Sequence, residues 1–206
     1  MTKQTRSENT RLHLVRSAAE LFDRNGFSGA TLEDVSRSAG VTKGAFYFHF
    51  SSKDELAGAI QAEACTLLRS AVHRVAGAGV SAVQSVVDLT HALARWLEHE
   101  PLVRASFRTA RECGQRGKPF LDFATELRTA IETLLRGAAQ AGELRAGLRV
   151  ADAVTLVLGV CIGLEMLWWS GLRSGGVGES LAGIWRITLP GLALPAVSSA
   201  VMPAGS

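Results

Sequence analysis

Residues 31–56 read TLEDVSRSAGVTKGAFYFHFSSKDEL, and this stretch predicts two short helices joined by a tight turn. Thr31 is a good N-cap because its hydroxyl can accept a hydrogen bond from a backbone amide. Asp34 falls in the first turn, where the helix dipole favours an anion. An apolar stripe follows at helical spacing, and Gly40 supplies the tight turn before the second helix. The pattern is typical of a helix-turn-helix, in which the second helix lies in the major groove of DNA.

The second helix of this pair has the composition of a DNA-reading element. Thr42 and Lys43 fall at its N-terminus, where backbone amides attract phosphate and a lysine can reach guanine O6 or N7. Gly44 is a poor helix former, costing ~1 kcal/mol relative to alanine, which indicates that close backbone approach matters there. Tyr47 and His49 carry polar tips suited to phosphate contact. Of the other aromatic residues, Phe46, Phe48 and Phe50 either pack in the core or lie against the groove.

Basic residues flank the predicted motif. The N-terminal arm has four basic residues and one acidic residue, Glu8; the basic ones are Lys3, Arg6, Arg11 and Arg16. This arm is either a solvated terminus or a contact to the DNA backbone or minor groove. Lys53 opens the next helix and is placed for a phosphate contact. The residues predicted to contact DNA are Arg6, Thr31, Thr42, Lys43, Gly44, Tyr47, His49 and Lys53.

The rest of the chain also reads as helix. Of 206 residues, 47% are hydrophobic and 20% are charged, which is ordinary globular composition, and the net charge of +3 is too small to name a partner. No stretch alternates apolar and polar residues long enough to predict a strand. We therefore expect an all-α protein with a helix-turn-helix domain at residues 1–55, a larger helical domain at 56–190, and a frayed tail at 191–206.

The apolar run at residues 153–169 falls short of the roughly 20 residues of a membrane span, and Thr155 and Glu165 interrupt it. It predicts a buried helix or a subunit interface. The polar N-terminus carries no secretory signal, so a cytoplasmic location is expected.

The sequence does not predict an enzyme, a metal site or a cofactor. It has no Gly-x-Ser-x-Gly elbow, no phosphate-cradling glycine loop and no His-Glu-x-x-His pair. His91 and His99 fit a surface cluster better than a metal site. The three cysteines lie far apart and fit half-buried or buried packing in a reducing compartment.

Residues 31–56 resemble the DNA-binding domain of the TetR family of transcriptional repressors. Within them, residues 41–45 and 47–50 are most similar to the receptors for γ-butyrolactone autoregulators of antibiotic-producing bacteria. The resemblance implies a homodimer in which the last two long helices of each subunit form a four-helix interface. Two recognition helices would then lie about 34 Å apart on double-stranded operator DNA. It also implies that residues 56–190 form a ligand-binding and dimerisation domain, with a cavity whose occupation releases the operator of antibiotic or secondary-metabolite genes.

A cavity for a small lipophilic effector needs apolar walls and a few polar groups. Glu165 is costly inside an apolar helix, so it is a ligand handle, an interface partner or a solvent-facing residue. The candidate lining residues, each of which is otherwise a core residue, are Trp96, Arg104, Phe107, Phe120, Phe123, Leu127, Glu165, Met166 and Trp169.

Two departures from the receptors bear on the effector. The receptors resembled here usually carry a tryptophan where this chain has Phe123, and a glutamine at the place of Ala64. Losing an indole donor and an amide removes polar contacts to a lactone. Together with the basic isoelectric point, this favours the related pseudo-receptors, which respond to antibiotics or their intermediates. The alternative is a regulator of an efflux gene that binds cationic or aromatic drugs, for which Glu165 would supply the charge and Trp168 and Trp169 the aromatic rings.

Overall fold

The structure is a computed structural model that describes residues 3–114, 123–172 and 175–206, with the side chains of residues 3, 4, 6 and 114 left out. Within those ranges it consists of ten helices and no strand, apart from an isolated bridge between Leu144 and Ala193. The all-α prediction is therefore confirmed. The helices are α1 (Lys3–Gly29), α2 (Leu32–Ser38), α3 (Lys43–His49), α4 (Lys53–Ala76), α5 (Ala82–His99), α6 (Pro101–Gly114), α7 (Phe123–Gln140), α8 (Val150–Ser170), α9 (Val177–Leu192) and α10 (Pro195–Ala200).

The chain forms two compact units, and their boundary differs from the predicted division near residue 55. One unit contains Met1–Thr66 with Glu100–Ala124, and the other contains Leu67–His99 with Thr125–Ser206. A segment from the middle of the chain joins the N-terminal unit because α6 packs along α1. Helical periodicity shows where each helix runs, but it does not show which helix packs against which.

In the first unit, a kink near the end of α1 is held by polar side chains of α6. Gly26 has φ +77°, a conformation open to glycine, and a Cβ there would lie 2.5 Å from the Glu112 carboxylate. Arg108 donates to the Asp23 carbonyl oxygen at 2.6 Å, and Glu112 accepts from the Ser28 amide at 2.9 Å. The bend at Gly26 is thus the place where α6 is attached to α1.

In the second unit, carboxylates from distant parts of the chain bind the ends of helices. Glu143 accepts hydrogen bonds from the amides of Ala82 and Val83 at 3.1 and 2.9 Å, which satisfies the first turn of α5. Glu98 accepts from the Val177 amide at 2.9 Å and does the same for α9. These bonds join residues 60 to 79 positions apart.

Helix α8 is, among the described residues, the one helix long and apolar enough to cross a membrane by length and composition. Only 33% of its most apolar window is buried, so the first of the two predicted roles, a buried helix, does not describe it. Its buried side includes Ala153, Val157 and Cys161. Burial raises the pKa of the Cys161 thiol to about 12. Its exposed apolar side chains are Leu156, Ile162, Met166, Leu167 and Trp169.

The last residues of the chain pack on α5 and correct the expectation of a frayed tail. After α10, the Met202 amide donates to Gln84 Oε1 at 2.7 Å. The Ser206 amide donates to Asp88 Oδ1 at 2.8 Å, and His91 Nε2 lies 2.9 Å from the Pro203 carbonyl oxygen. Polar side chains of one helix thus bind a backbone whose own composition predicts disorder.

Candidate nucleic-acid interface

The start of α2 is fixed by a reciprocal pair of hydrogen bonds. The Asp34 amide donates to Thr31 Oγ1 at 3.1 Å, and Asp34 Oδ2 accepts from the Thr31 hydroxyl at 2.6 Å and, at 3.4 Å, from its amide. This is a capping box, the arrangement for which the sequence offers Thr31 and Asp34. The hydrogen bond from Thr31, with a smaller contribution from Arg37, lowers the pKa of the Asp34 carboxyl.

The turn and the start of α3 are also built from local bonds. Gly40 has φ +63°, and the Val41 amide donates to the Ser36 carbonyl oxygen at 3.0 Å. Thr42 is the N-cap of α3, with Oγ1 accepting from the Ala45 amide at 3.2 Å. The direction in which α3 leaves the turn is therefore set by residues at most five positions apart.

The aromatic residues of α3 divide between its two sides. Phe46 and Phe50, one helical turn apart, are completely buried, with ring centroids 6.0 Å apart. Phe48 is 79% exposed and packs edge-to-face on His49, with 5.1 Å between the centroids. The two interpretations left open by the sequence thus apply to different residues, since Phe46 and Phe50 belong to the core and Phe48 to the surface. The spacing carried this signal, because Phe46 and Phe50 at i and i+4 share a face that Phe48 cannot join.

Lys43 makes an ion pair that sequence reasoning missed. Its Nζ lies 3.1 Å from Oε1 of Glu33 in α2, and the two side chains are 66% and 68% exposed. The hydrogen bond to Glu33, followed by the charges of Glu33 and Tyr47, raises the pKa of the Lys43 ammonium. One cavity between α2 and α3 is lined by Leu32, Glu33, Lys43, Phe46 and Tyr47. No local pattern pairs residues ten positions apart across a turn, so this contact could not be predicted from the sequence.

Gly44 lies on the exposed side of α3 in helical conformation, and a Cβ added there would meet nothing within 4 Å. The described chain itself thus leaves room for a larger residue. Glycine at this position keeps the α3 surface low beside Lys43 and Tyr47, where a partner from outside the chain can approach the backbone.

The remaining predicted DNA residues lie in different surroundings. Tyr47 is 48% exposed and His49 is half-buried. Lys53 is the first residue of α4, and its ammonium makes a cation–π contact 4.6 Å from the Phe27 ring centroid. The side chain of Arg6 falls outside the described part of the structure. Exposed together on the first turns of α3 are Thr42, Lys43, Gly44 and Tyr47.

The predicted effector residues do not form one described cavity. In the first unit, Arg104 is paired with Asp23 at 2.8 Å, and Phe107 packs edge-to-face on Phe123, with centroids 5.3 Å apart. Phe120 lies outside the described residues. In the second unit, Leu127 and Glu165 are buried and Trp96 is half-buried, whereas Met166 and Trp169 are exposed on α8. Met166 and Trp169 are therefore exposed on α8 within the described part of the chain, and a role for either residue in binding an effector stays a prediction.

A buried amide in the first unit escaped sequence reasoning. Gln61 is completely buried in α4, donates to the Ser106 carbonyl oxygen at 2.7 Å and accepts from the Phe123 amide at 3.1 Å. It lies one helical turn before Ala64, the position where the receptors that this sequence resembles usually carry a glutamine. A glutamine among the apolar residues of an inner helix face was the signal that could have drawn attention to it.

Helices α2 and α3, with the turn between them, form a helix-turn-helix that presents the exposed side of α3. Residues 14–60 match the family model of bacterial regulatory proteins, tetR family. The whole chain is 28% identical to the A-factor receptor protein of Streptomyces griseus and spans 71% of that protein.

Solved structures are similar over nearly the entire chain. A γ-butyrolactone receptor described as ArpA-like superposes with a TM-score of 0.81 at 28% identity, over 97% of this chain and 96% of the other. CprB of Streptomyces coelicolor, a TetR family protein solved with its operator sequence, superposes with a TM-score of 0.75 at 30% identity, over 95% and 94%. The chain belongs to the TetR family of transcriptional regulators.

Proposed function

We propose that this chain is a cytoplasmic homodimeric repressor that binds a pseudo-palindromic operator with one α3 in each half-site and leaves it when a small molecule binds. The observation that carries the proposal is the exposed side of α3, where Lys43, Gly44, Tyr47 and Phe48 lie outside the core. The genes proposed to be regulated are those of antibiotic or secondary metabolism.

The side chains of α3 supply what a major groove requires. Lys43 offers a positive donor for guanine O6 or N7, and the Tyr47 hydroxyl suits a phosphate oxygen. The Phe48 ring is an apolar surface that matches a thymine methyl group. A low surface at Gly44 allows the helix backbone to come close to the bases.

The proposal of a dimer is supported by the apolar surface of α8 and α9. Leu156 of α8 and Ile187 of α9 line one groove, and Ile187 is 80% exposed. Exposed apolar surface of this extent on two adjacent helices is typical of a subunit interface. A two-fold symmetric pair would supply the two copies of α3 that a palindromic operator needs.

For the effector, we propose a γ-butyrolactone-type signal or an antibiotic or its intermediate. Relatives named as receptors for A-factor and γ-butyrolactone support this class. The alternative effector, a cationic drug, would need a carboxylate beside an aromatic ring inside a cavity. Glu165 is buried while Trp169 is 59% exposed, so this chain does not bring those two residues into one enclosed site.

Substitution of Lys43 tests the DNA contact. In a gel-shift titration on an operator selected by the wild-type protein from random duplexes, Lys43→Ala should weaken binding by ~1 to 3 kcal/mol, about five- to 150-fold, because a base contact is lost. Arg24→Ala is the matched control, since Arg24 is an equally exposed basic residue of the same unit, paired with Glu20. Unchanged operator affinity in Lys43→Ala would remove Lys43 from the interface.

Thermal shift measurements test the effector class. A ligand that binds the native state and not the unfolded chain raises the melting temperature, and the rise grows with the ratio of ligand concentration to dissociation constant. We expect γ-butyrolactones or aromatic antibiotics to raise it and to release the operator in the gel-shift assay at the same concentrations. A rise with cationic dyes alone would support the efflux alternative instead.

A further inference from the structure

Glu33 places a negative charge on the surface that we propose to face DNA. Its carboxylate lines the same cavity as Lys43 and Tyr47, and it accepts a hydrogen bond from the Lys43 ammonium at 3.1 Å. Exposed carboxylates are repelled by the phosphates of a duplex. An acidic residue is therefore unfavourable here for binding DNA in general, and its contact with Lys43 offers a reason for its position.

The acceptors that the Lys43 ammonium can reach depend on whether Glu33 is present. An ammonium has three N–H donors on a flexible four-carbon stem, so a lysine without a partner can reach any nearby phosphate. With Glu33 in place, one donor is occupied and the stem is held across the α2–α3 cavity. The other donors stay available to an acceptor that lies where the tethered ammonium points.

We propose that Glu33 is a specificity-determining residue that holds the Lys43 ammonium as a directed donor to a base and prevents it from serving as a mobile counterion for phosphates. The inference rests on the proposed role of Lys43 in operator binding. At the operator, a correctly placed base accepts from Lys43 while the ion pair stays intact. On other DNA, Lys43 has to leave Glu33 to reach a phosphate, and the carboxylate is then left facing the duplex.

The decisive variant is Glu33→Gln, measured by equilibrium binding to the selected operator and to a scrambled duplex at several salt concentrations. Affinity for the scrambled duplex should rise about two- to fivefold, the range of an exposed ion pair. The slope of log K against log salt on that duplex should steepen by about 1, because Lys43 now neutralises one more phosphate. Operator affinity should change less, so the ratio of specific to non-specific affinity falls.

Two controls separate this role from bulk charge. Glu20→Gln removes the same charge from another exposed ion pair of the first unit, and it should change neither the ratio nor the slope. In the Lys43→Ala background, Glu33→Gln should no longer steepen the salt slope and should raise affinity for the scrambled duplex by less than in the wild type, because only the direct repulsion between carboxylate and phosphate remains. Glutamine keeps the length and helix propensity of glutamate, and a melting curve checks the fold of each variant.

The outcomes distinguish this inference from the proposed function. If Lys43→Ala weakens operator binding but Glu33→Gln leaves the affinity ratio unchanged, the inference fails and the proposed function stands. An equal gain from Glu33→Gln with and without Lys43 would also overturn it, since bulk repulsion would then explain the effect. A loss of operator affinity as large as that of Lys43→Ala, with no gain on the scrambled duplex, would overturn the inference, because Glu33 would then contribute to operator binding and not to discrimination against other DNA. If Lys43→Ala leaves operator affinity unchanged, Lys43 lies outside the interface and the inference fails with it, whereas a protein that selects no operator from random duplexes would overturn the proposed function itself.

Discussion

The α2–α3 region and the α8–α9 region both expose large apolar side chains, yet their helices are fixed in different ways. Helices α2 and α3 begin at Thr31 and Thr42, whose hydroxyls bind amides three residues further on. Helices α8 and α9 begin at Arg149 and Gly176 without a side-chain cap of their own. For α9, the bond to the first turn comes from Glu98, 79 residues away. One region is thus organised by neighbours in sequence and the other by tertiary contacts.

The exposed surfaces differ in a corresponding way. On α3, the exposed Phe48 is accompanied by Lys43 and Tyr47, a mixture suited to the wet and charged surface of nucleic acid. On α8 and α9, exposed Leu156 and Ile187 line an apolar groove, which is typical of the dry centre of a protein interface. Exposure alone therefore does not identify a partner, whereas the chemistry around each exposed ring or aliphatic chain does.

The largest effect is expected from Ile187→Glu, a substitution that tests the proposed dimer interface on α8 and α9. A carboxylate placed in an apolar interface cannot be buried without a partner, so the dimer should dissociate to monomers in analytical ultracentrifugation. Operator affinity should fall by about a hundredfold or more, because two half-sites are no longer bound together. The melting curve of the monomer should show that the subunit itself stays folded, since Ile187 is exposed in it.

Val80→Glu is the matched control for that variant. Val80 is an exposed aliphatic residue of the α4–α5 connection, and the same substitution there should leave the dimer intact. A dimer that survives Ile187→Glu would show that the α8–α9 surface is not the subunit interface.

A smaller effect is expected from removing the N-caps of α2 and α3, which tests whether local hydrogen bonds stabilise these two helices. Thr31→Ala and Thr42→Ala should each lower the free energy of unfolding by ~1 kcal/mol, the usual value of an N-cap. The amides that lose their acceptors belong to Asp34 and Ala45, and hydrogen exchange should accelerate at these two positions first.

Thr133→Ala is the control for the caps. Its hydroxyl binds the Thr129 carbonyl oxygen inside α7, and alanine is the better helix former, so stability should stay the same or rise slightly. If Thr133→Ala costs as much as the two cap variants, the stabilisation assigned to the caps is a general effect of losing a threonine.

Some features of the α2–α3 region were predictable because their causes lie within a few residues. The capping box at Thr31, the turn at Gly40 and the cap at Thr42 each involve residues close in sequence. The exposure of Phe48 was accessible to the same reasoning, through the helical spacing of Phe46 and Phe50. The pairing of Glu33 with Lys43 was not, since it depends on the angle between two helices.

Predictions about the rest of the chain failed where distant residues decide the outcome. The tail from residue 191 has the composition of a frayed terminus, yet Gln84, Asp88 and His91 of α5 bind its backbone. The predicted effector residues were chosen by residue type, and Met166 and Trp169 then proved to be exposed. Residue type indicates a preference for burial, but whether a helix face is covered depends on which element packs against it.

The helical fold class, the position of the helix-turn-helix and the polar start of its second helix follow from the amino-acid sequence alone, because propensity, spacing and capping act between near neighbours. Tertiary packing is needed to join α6 to the first unit along α1, to bring Glu143 and Glu98 to helix starts far away, and to pair Glu33 with Lys43. Apart from the Glu33–Lys43 pair, these contacts close long loops of chain, and all of them depend on how whole helices pack, which no local pattern records.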